Sequence, residues 1–266
     1  MQKIKPKKSL GQNFLHDKNI ARKIIQHFNP GKDDVILEIG PGTGALTSLL
    51  AGECKRLYLA EKDKRAVELL HREYGDDENI SIIEGDVLDL SLSNMAHGNT
   101  KLRVIGNIPF YITSPILFHI IDQRVYVHDL MILMQLEVAQ RITAQPSTPD
   151  YGILSVLTQT WATPTLLFKV PATVFYPKPS VDSAVVHIVF DRERSDIKDE
   201  NMYRMIVRGT FGKRRKMLRS SLKRLFPELP LQQEQFSIDL NKRPEACSVD
   251  DFIQLTGEIK HGIKRS

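Results

Sequence analysis

Asn107-Ile108-Pro109-Phe110 is a tetrapeptide equipped to grip a planar nitrogen base. The Asn107 amide oxygen can accept a hydrogen bond from an exocyclic amine. Pro109 removes a backbone donor and stiffens the turn, which leaves nearby carbonyls free to accept. Phe110 offers a ring face for stacking. The same residues also suit a plain strand-to-helix turn, with the Asn as a local cap and the Phe in a core. The rest of the chain has to decide between these readings.

A second constellation lies upstream. Gly40-Pro41-Gly42-Thr43-Gly44 directly follows Val35–Ile39, which reads as a first buried strand. Glycines after a first strand let the backbone approach a ligand, and a following helix presents its N-terminus. Gly40-x-Gly42-x-x-Ala45 satisfies the loose nicotinamide-dinucleotide fingerprint, with Glu61 where a ribose-binding acid would stand. Three features favour S-adenosylmethionine instead. Glu38 precedes the glycines, where it helps to arrange the loop around a cationic methionine end. Pro41 stiffens the turn where a pyrophosphate would want a free N–H. Asp86 ends a third strand, offering an acceptor to an adenine amine, while the Glu61 carboxylate accepts from both ribose hydroxyls.

The elements that must position these residues alternate in type. Val35–Ile39, Leu57–Ala60, Ile80–Ile83, Leu102–Gly106 and Leu130–Met134 read as buried strands, with helical segments between them. Such alternation predicts an α/β domain with a largely parallel sheet. Asp17 is placed to cap a helix through Ile20, Ile24, Ile25 and Phe28, and Ala45–Ala51 and Ser114–Ile121 are also read as helices. Beyond residue 140 the pattern changes: a helix over 151–162, strands at 165–170 and 184–190, and a proline-rich loop at 171–182 that suits a pocket's border. From Asp191 onward no clear strand is read. Arg204–Arg224 carries nine bases and no acid, with Leu218, Leu222 and Leu225 on one face and Arg215, Arg219 and Lys223 on another. This spacing predicts one basic amphipathic helix. The domains are therefore placed at 1–190, with a basic arm over 1–12, and at 191–266, a small helical domain.

Charge follows the same division. Of the net +5, the stretch from Asp191 holds 17 Lys and Arg against 12 Asp and Glu, leaving residues 1–190 balanced at 20 against 20. A second basic cluster comprises Lys3, Lys5, Lys7 and Lys8. Two basic ends around a balanced middle point to a polyanion partner, most simply nucleic acid. Cys54 and Cys247, far apart and outside any CxxC pair, argue against a zinc site and a disulfide framework, so no metal is expected. No apolar run has the length of a membrane span or the form of a signal peptide, so the expected address is the cytoplasm. No exposed apolar seam is evident, so a monomer is expected.

These residues, in this order, resemble the bacterial small-subunit ribosomal RNA adenine dimethyltransferases. The resemblance spans nearly the whole chain and rests on Leu10-Gly11-Gln12-Asn13-Phe14-Leu15, on Glu38 to Gly42, on Asn107 to Phe110, on Phe175-Tyr176-Pro177-Lys178-Pro179 with Val181 to Val186, and on Arg214-Arg215-Lys216 with Ser221-Leu222. It implies a Rossmann-like class I methyltransferase sheet with a small all-α C-terminal domain. It implies that Asn13, Leu15, Gly40, Glu61, Asp86 and Asn107 hold S-adenosylmethionine, and that Asn107 stands at the junction with the substrate. The implied substrate is 16S rRNA in the immature 30S subunit, at two adjacent adenines near its 3′ end. One departure is Phe110, where the family usually has Tyr; stacking survives and a hydroxyl is lost.

The chemistry expected is positional. Asn107 and a backbone carbonyl near Ile108 or Pro109 accept the two amine N–H bonds and localise the nitrogen lone pair. The target adenine must leave its stack, with Phe110 on one face and Phe175 the candidate for the other. Arg214, Arg215, Lys216 and Arg219 are the expected phosphate contacts. Three other readings stay open: a nicotinamide-dependent dehydrogenase, which leaves the Asn107 motif unused; a non-catalytic ribosome-assembly factor, which leaves the cofactor residues unused; and a large-subunit RNA adenine methyltransferase of the resistance type.

Overall fold

The computed structural model describes residues 4–7, 10–96, 98 and 100–265. Lys3 and Lys8 of the expected basic arm lie outside these described residues. The chain runs β1 (Phe14–Leu15), α1 (Lys18–Phe28), β2 (Val35–Ile39), α2 (Thr47–Leu50), β3 (Arg56–Glu61), α3 (Lys64–Tyr74) and β4 (Ile80–Glu84). It continues through β5 (Leu102–Asn107), α4 (Thr113–Asp122), β6 (Val127–Gln135), α5 (Leu136–Thr143), α6 (Ile153–Trp161) and β7 (Thr163–Val170). β8 (Phe175–Tyr176), β9 (Ser183–Val189), α7 (Glu200–Phe211), α8 (Leu218–Leu225) and α9 (Val249–Arg265) complete it. Asp17 caps α1 as expected, its Oδ1 accepting from the N–H groups of Asn19 and Ile20 at 2.8 and 3.1 Å.

Seven strands form one sheet in the order β4-β3-β2-β5-β6-β9-β7. β2, β3, β4, β5 and β6 pair in parallel, and β9 lies antiparallel on β6. Strands covered on both faces read as near-continuous apolar runs, and every residue of β2 is buried, Glu38 included. The expected α/β class is the one observed. The chain leaves β2 for β3 on one side and returns to β5 on the other, so the order reverses there, where open α/β sheets bind ligands beyond their carboxyl ends. Register brings the candidate residues together: Ile39 lies opposite both Ala60 and Gly106, so Gly40, Glu61 and Asn107 emerge side by side. A Cβ on Gly106 would lie 2.7 Å from the Ile39 carbonyl oxygen, so glycine is what lets β5 approach β2 this closely.

A second, two-stranded sheet pairs β1 with β8 antiparallel, Phe14 opposite Tyr176 and Leu15 opposite Phe175. Leu15 and Phe175 join the same buried cluster as Ile24, Phe28, Ile36 and Ile105.

The chain divides into two compact units, one holding the chain up to Ala139 with Pro164–Phe190, the other Gln140–Thr163 with the chain from Asp191. A single cut at 190/191 therefore misses one exchange: residues 140–163 sit in the helical unit. The reason is local packing within that unit. Thr160 Oγ1 meets the Tyr203 hydroxyl at 2.7 Å, the Tyr151 ring stands edge-on to Phe211 at 6.1 Å, and Ser147 N–H donates to the Glu245 carbonyl at 2.7 Å.

The single basic helix expected over 204–224 is broken. α7 ends at Phe211, residues 212–217 form a turn, and α8 starts at Leu218. Arg215 thus lies in the turn and shares no helix face with Arg219 and Lys223. α8 then packs back onto α7 at Gly209, where a Cβ would come within 2.6 Å of Leu225 Cδ1. Among the described residues, no helix is long and apolar enough to cross a membrane, and no group of three or more His, Cys, Asp or Glu could hold a metal ion.

Candidate active site

At the carboxyl ends of β2, β3, β4 and β5 an open cleft is lined by residues 10–15, 38–43, 60–62, 85–87 and 107–112, with Ala45, Leu46 and Ile116. Asn13, Leu15, Gly40, Glu61, Asp86, Asn107, Pro109 and Phe110 all stand in its wall. Sequence positions as far apart as Leu10 and Ile116 meet here because parallel strands deliver their following loops to one edge.

The glycine loop is shaped by backbone conformations that side chains disfavour. Gly40, Gly42 and Gly44 have φ of 65°, 57° and 80°. Gly40 N–H donates to the Ala60 carbonyl at 2.9 Å, pinning the loop to β3. Gly42 is constrained twice, since a Cβ there would lie 2.9 Å from the Phe14 ring.

Glu61 holds this loop from below. One carboxylate oxygen accepts from Gly42 N–H at 3.0 Å, the other from Lys62 N–H at 2.9 Å and Asp63 N–H at 2.8 Å. A carboxylate offers about four acceptor positions, so these three bonds leave roughly one for a ribose hydroxyl, where the sequence reading needed two. Burial pushes the Glu61 carboxyl up, and its backbone hydrogen bonds pull against that. Glu38 is buried beside it, at 2% exposure, and accepts from Thr47 Oγ1 at 2.8 Å. Its carboxyl is pushed up to about 8, chiefly by burial, with the Glu61 charge adding to the rise and the Thr47 bond opposing it.

Asp86 stands at the far end of the cleft. Its Oδ1 accepts from Leu88 N–H at 3.0 Å, and its Oδ2 from Lys62 Nζ at 2.8 Å. The Lys62 ammonium holds the Asp86 carboxyl below the usual carboxylate range. Any adenine amine that Asp86 accepts must share that carboxylate with Lys62, a cleft residue the sequence reading did not single out. Its signal was available: a lysine directly after Glu61, at a strand's end.

Asn107 is tethered from one side only. Its Nδ2 donates to the Asn13 carbonyl at 3.0 Å, and its Oδ1 accepts nothing among the described residues. A carbonyl on that side requires the nitrogen to face it, which fixes the amide orientation. Of the two backbone acceptors considered, Pro109 O already takes Ile112 N–H at 3.1 Å, and Ile108 O accepts nothing among the described residues. Phe110 is partly exposed and begins a short 3₁₀ turn through Ile112. Tyr111, 62% exposed, follows it in the cleft wall, and its ring lies 3.0 Å from where a Cβ on Gly11 would be. A phenol is thus present one position after the residue that lacks it.

Phe175 is placed elsewhere than expected. It is 3% exposed, belongs to the apolar core and is absent from the cleft wall, because its pairing with Leu15 turns it inward. The neighbouring Tyr176 is 65% exposed. In the helical unit, Arg215 and Lys216 are exposed. Arg214 is occupied, donating to the Thr148 carbonyl at 3.2 Å and lying 3.8 Å from Glu245, and Arg219 is half-buried on the Leu231 carbonyl.

The acids around a glycine loop suit a ligand with a cationic end and a ribose, and the Asn107 oxygen suits an amine beside it. The family model described as ribosomal RNA adenine dimethylase matches residues 3–261. The chain is 43% identical over 257 residues to ribosomal RNA small subunit methyltransferase A of Chlorobium phaeobacteroides (strain BS1), covering 97% of this chain and 95% of the relative. The crystal structure of a dimethyladenosine transferase from Plasmodium falciparum aligns with TM-score 0.77 at 23% identity, over 94% of this chain and 98% of that one. That of the 23S rRNA methyltransferase ErmE aligns with TM-score 0.68 at 23% identity, over 93% and 100%. At these identities the two structures show the shared fold alone.

Proposed function

The chain belongs to the ribosomal RNA adenine dimethylase family and is an adenine-N6,N6-dimethyltransferase of ribosomal RNA, and from that premise we propose how its residues divide the work and on which RNA. The proposed substrate is 16S rRNA within the immature 30S subunit, at two adjacent adenines near the 3′ end, and the proposed working form is a monomer. The 43% identity to a small-subunit enzyme over almost the whole chain supports this against the large-subunit alternative.

S-adenosylmethionine supplies a methyl group activated by its sulfonium charge. Gly40 and Gly42 bare the backbone against it, Glu61 offers its remaining acceptor position to the ribose, and Asp86 with Lys62 borders the adenine. Glu38 places a carboxyl beneath the loop. Asn13 and Leu15 close the wall from the N-terminal side.

An adenine amine is a poor nucleophile because its lone pair is delocalised into the ring. Asn107 Oδ1 and Ile108 O accept its two N–H bonds, which draws the nitrogen toward a tetrahedral form and frees the lone pair for attack. The proton leaves after the attack, so no strong base is needed, and orientation supplies most of the acceleration. Phe110 stacks on the extruded base. For the second transfer one acceptor contact is given up. The observation that carries this reading is the Asn107 amide, tethered through nitrogen to the Asn13 carbonyl with its oxygen uncommitted.

Methylation of immature 30S subunits by the purified protein, with dimethyladenine mapped on the RNA, tests it. The expected result is modification of two adjacent adenines near the 3′ end of 16S rRNA. Modification of 23S rRNA instead would transfer the protein to the large-subunit reading, and incorporation into neither would reject both.

A further inference from the structure

The Asp63 side chain stands outside the cleft wall and has no role assigned above, and it is 0% exposed. Capping α3 accounts for only one of its contacts, with Arg65 N–H at 3.3 Å. The carboxylate also accepts Arg65 Nε at 3.0 Å and Nη2 at 2.5 Å, and Gln12 Nε2 at 3.0 Å, and lies 3.4 Å from Lys7 Nζ. Gln12 and Lys7 are 51 and 56 positions away in the chain. They are also joined to each other, Lys7 N–H donating to Gln12 Oε1 at 2.9 Å, and Arg65 Nη1 reaches the Lys5 carbonyl at 3.0 Å. The arginine holds the Asp63 carboxyl well below the usual range, so the anchor stays ionised.

Two cleft groups depend on this anchor. Asp63 N–H is one of the donors that hold Glu61. Gln12 is followed by Asn13, whose carbonyl orients Asn107.

We propose that Asp63 is a positioning residue: its buried carboxylate, with Arg65 beside it, fastens Lys5, Lys7 and Gln12 to the start of α3, and so sets both the N-terminal wall of the cofactor cleft and the Asn13 carbonyl that aims Asn107. The proposal rests on the reading of the cleft given above. Severing the Gln12 contact loosens the wall without touching α3.

Gln12→Ala and Asp63→Asn test it. Asparagine caps helices as well as aspartate does, so the second variant keeps α3 while removing the charge and one acceptor. Hydrogen exchange over residues 4–15 of the ligand-free protein should rise in both, with the melting temperature little changed in Gln12→Ala and lowered in Asp63→Asn, where a buried ion pair is lost. S-adenosylmethionine affinity by calorimetry should fall about tenfold, the size expected for one hydrogen bond to a charged group. Both KM for the cofactor and kcat should suffer. The double variant should be no worse than Asp63→Asn alone, and Gln12→Glu in the Asp63→Asn background should recover part of the loss, since the amide can donate to the new carboxylate. Wild-type exchange in Gln12→Ala, or strictly additive effects, overturns the latch. A wild-type protein that bound no S-adenosylmethionine would defeat the functional reading, while the exchange comparison would still judge the latch.

Discussion

Asn107 is bound to Asn13 across 94 positions of the chain, its Nδ2 donating to the Asn13 carbonyl at 3.0 Å. The bond commits the amide nitrogen and leaves the oxygen uncommitted among the described residues. Asn107→Ala removes that oxygen and should lower kcat by on the order of a hundredfold or more, since positioning carries the reaction. Cofactor affinity should change by only a few-fold. Asn107→Asp keeps the shape but sets a carboxylate oxygen against the Asn13 carbonyl, so it should fail as badly. Methyl incorporation beside calorimetric cofactor binding measures both; near-wild-type incorporation in either variant would remove Asn107 from the mechanism.

Gly42→Ala meets two obstacles, a φ of 57° and the Phe14 ring 2.9 Å from the new Cβ. The loop or β1 must shift. The expected cost is more than about 1 kcal/mol in stability, as for side chains at a left-handed position, together with weakened cofactor binding. Chemical denaturation and calorimetry read the two effects separately, and an unchanged pair would contradict the crowding argument.

Glu38 predicts a pH dependence of stability. The folded protein holds its proton up to about pH 8, whereas an unfolded glutamate releases it near its ordinary value of roughly 4.3. Between those values the folded state binds the extra proton, so stability falls as pH rises through the window and levels off above it. The Glu61 carboxyl beside it is also raised and adds in the same direction, and Tyr74 is the other titratable group that senses the Glu38 charge. Glu38→Gln should flatten much of the slope in urea melts between pH 5 and 8, values set by that window. A cationic cofactor should also drive proton release on binding, visible as a buffer-dependent binding enthalpy that Glu38→Gln diminishes.

Lys213, Arg215 and Lys216 are the exposed bases of the turn between α7 and α8. Neutralising all three should reduce the slope of log affinity against log salt for RNA by about 2–3, at roughly 0.7–0.9 per phosphate contact. Arg214→Ala should instead loosen the turn, because its guanidinium is spent on Thr148 and Glu245. An unchanged slope in the triple variant would move the RNA contact elsewhere.

The parallel strands and the cleft residues at their ends were readable because each is a local apolar run followed by its own loop, and Val35–Ile39 needs no distant partner to be recognised as buried. Phe175 was misread because its orientation depends on pairing with Leu15, a contact that no local periodicity announces. The break over 212–217 was masked because the basic run carries no acid to mark it, and the phase of Leu218, Leu222 and Leu225, which all lie in α8, was extended back across it. Asp63 likewise reads as a helix cap until Gln12 and Lys7 are seen upon it.

The pairing of β1 with β8 has a consequence for the protein's making. Phe14 and Leu15 leave the ribosome long before Phe175 and Tyr176, yet each pair shares one rung. Domains assemble as their segments emerge, and contacts distant in sequence come late. β2 to β6 can meet as soon as Gln135 is free, but the segment that walls the cofactor cleft has no strand partner until Tyr176 follows. A nascent chain halted before that point would carry the five parallel strands and the glycine loop without a finished cleft.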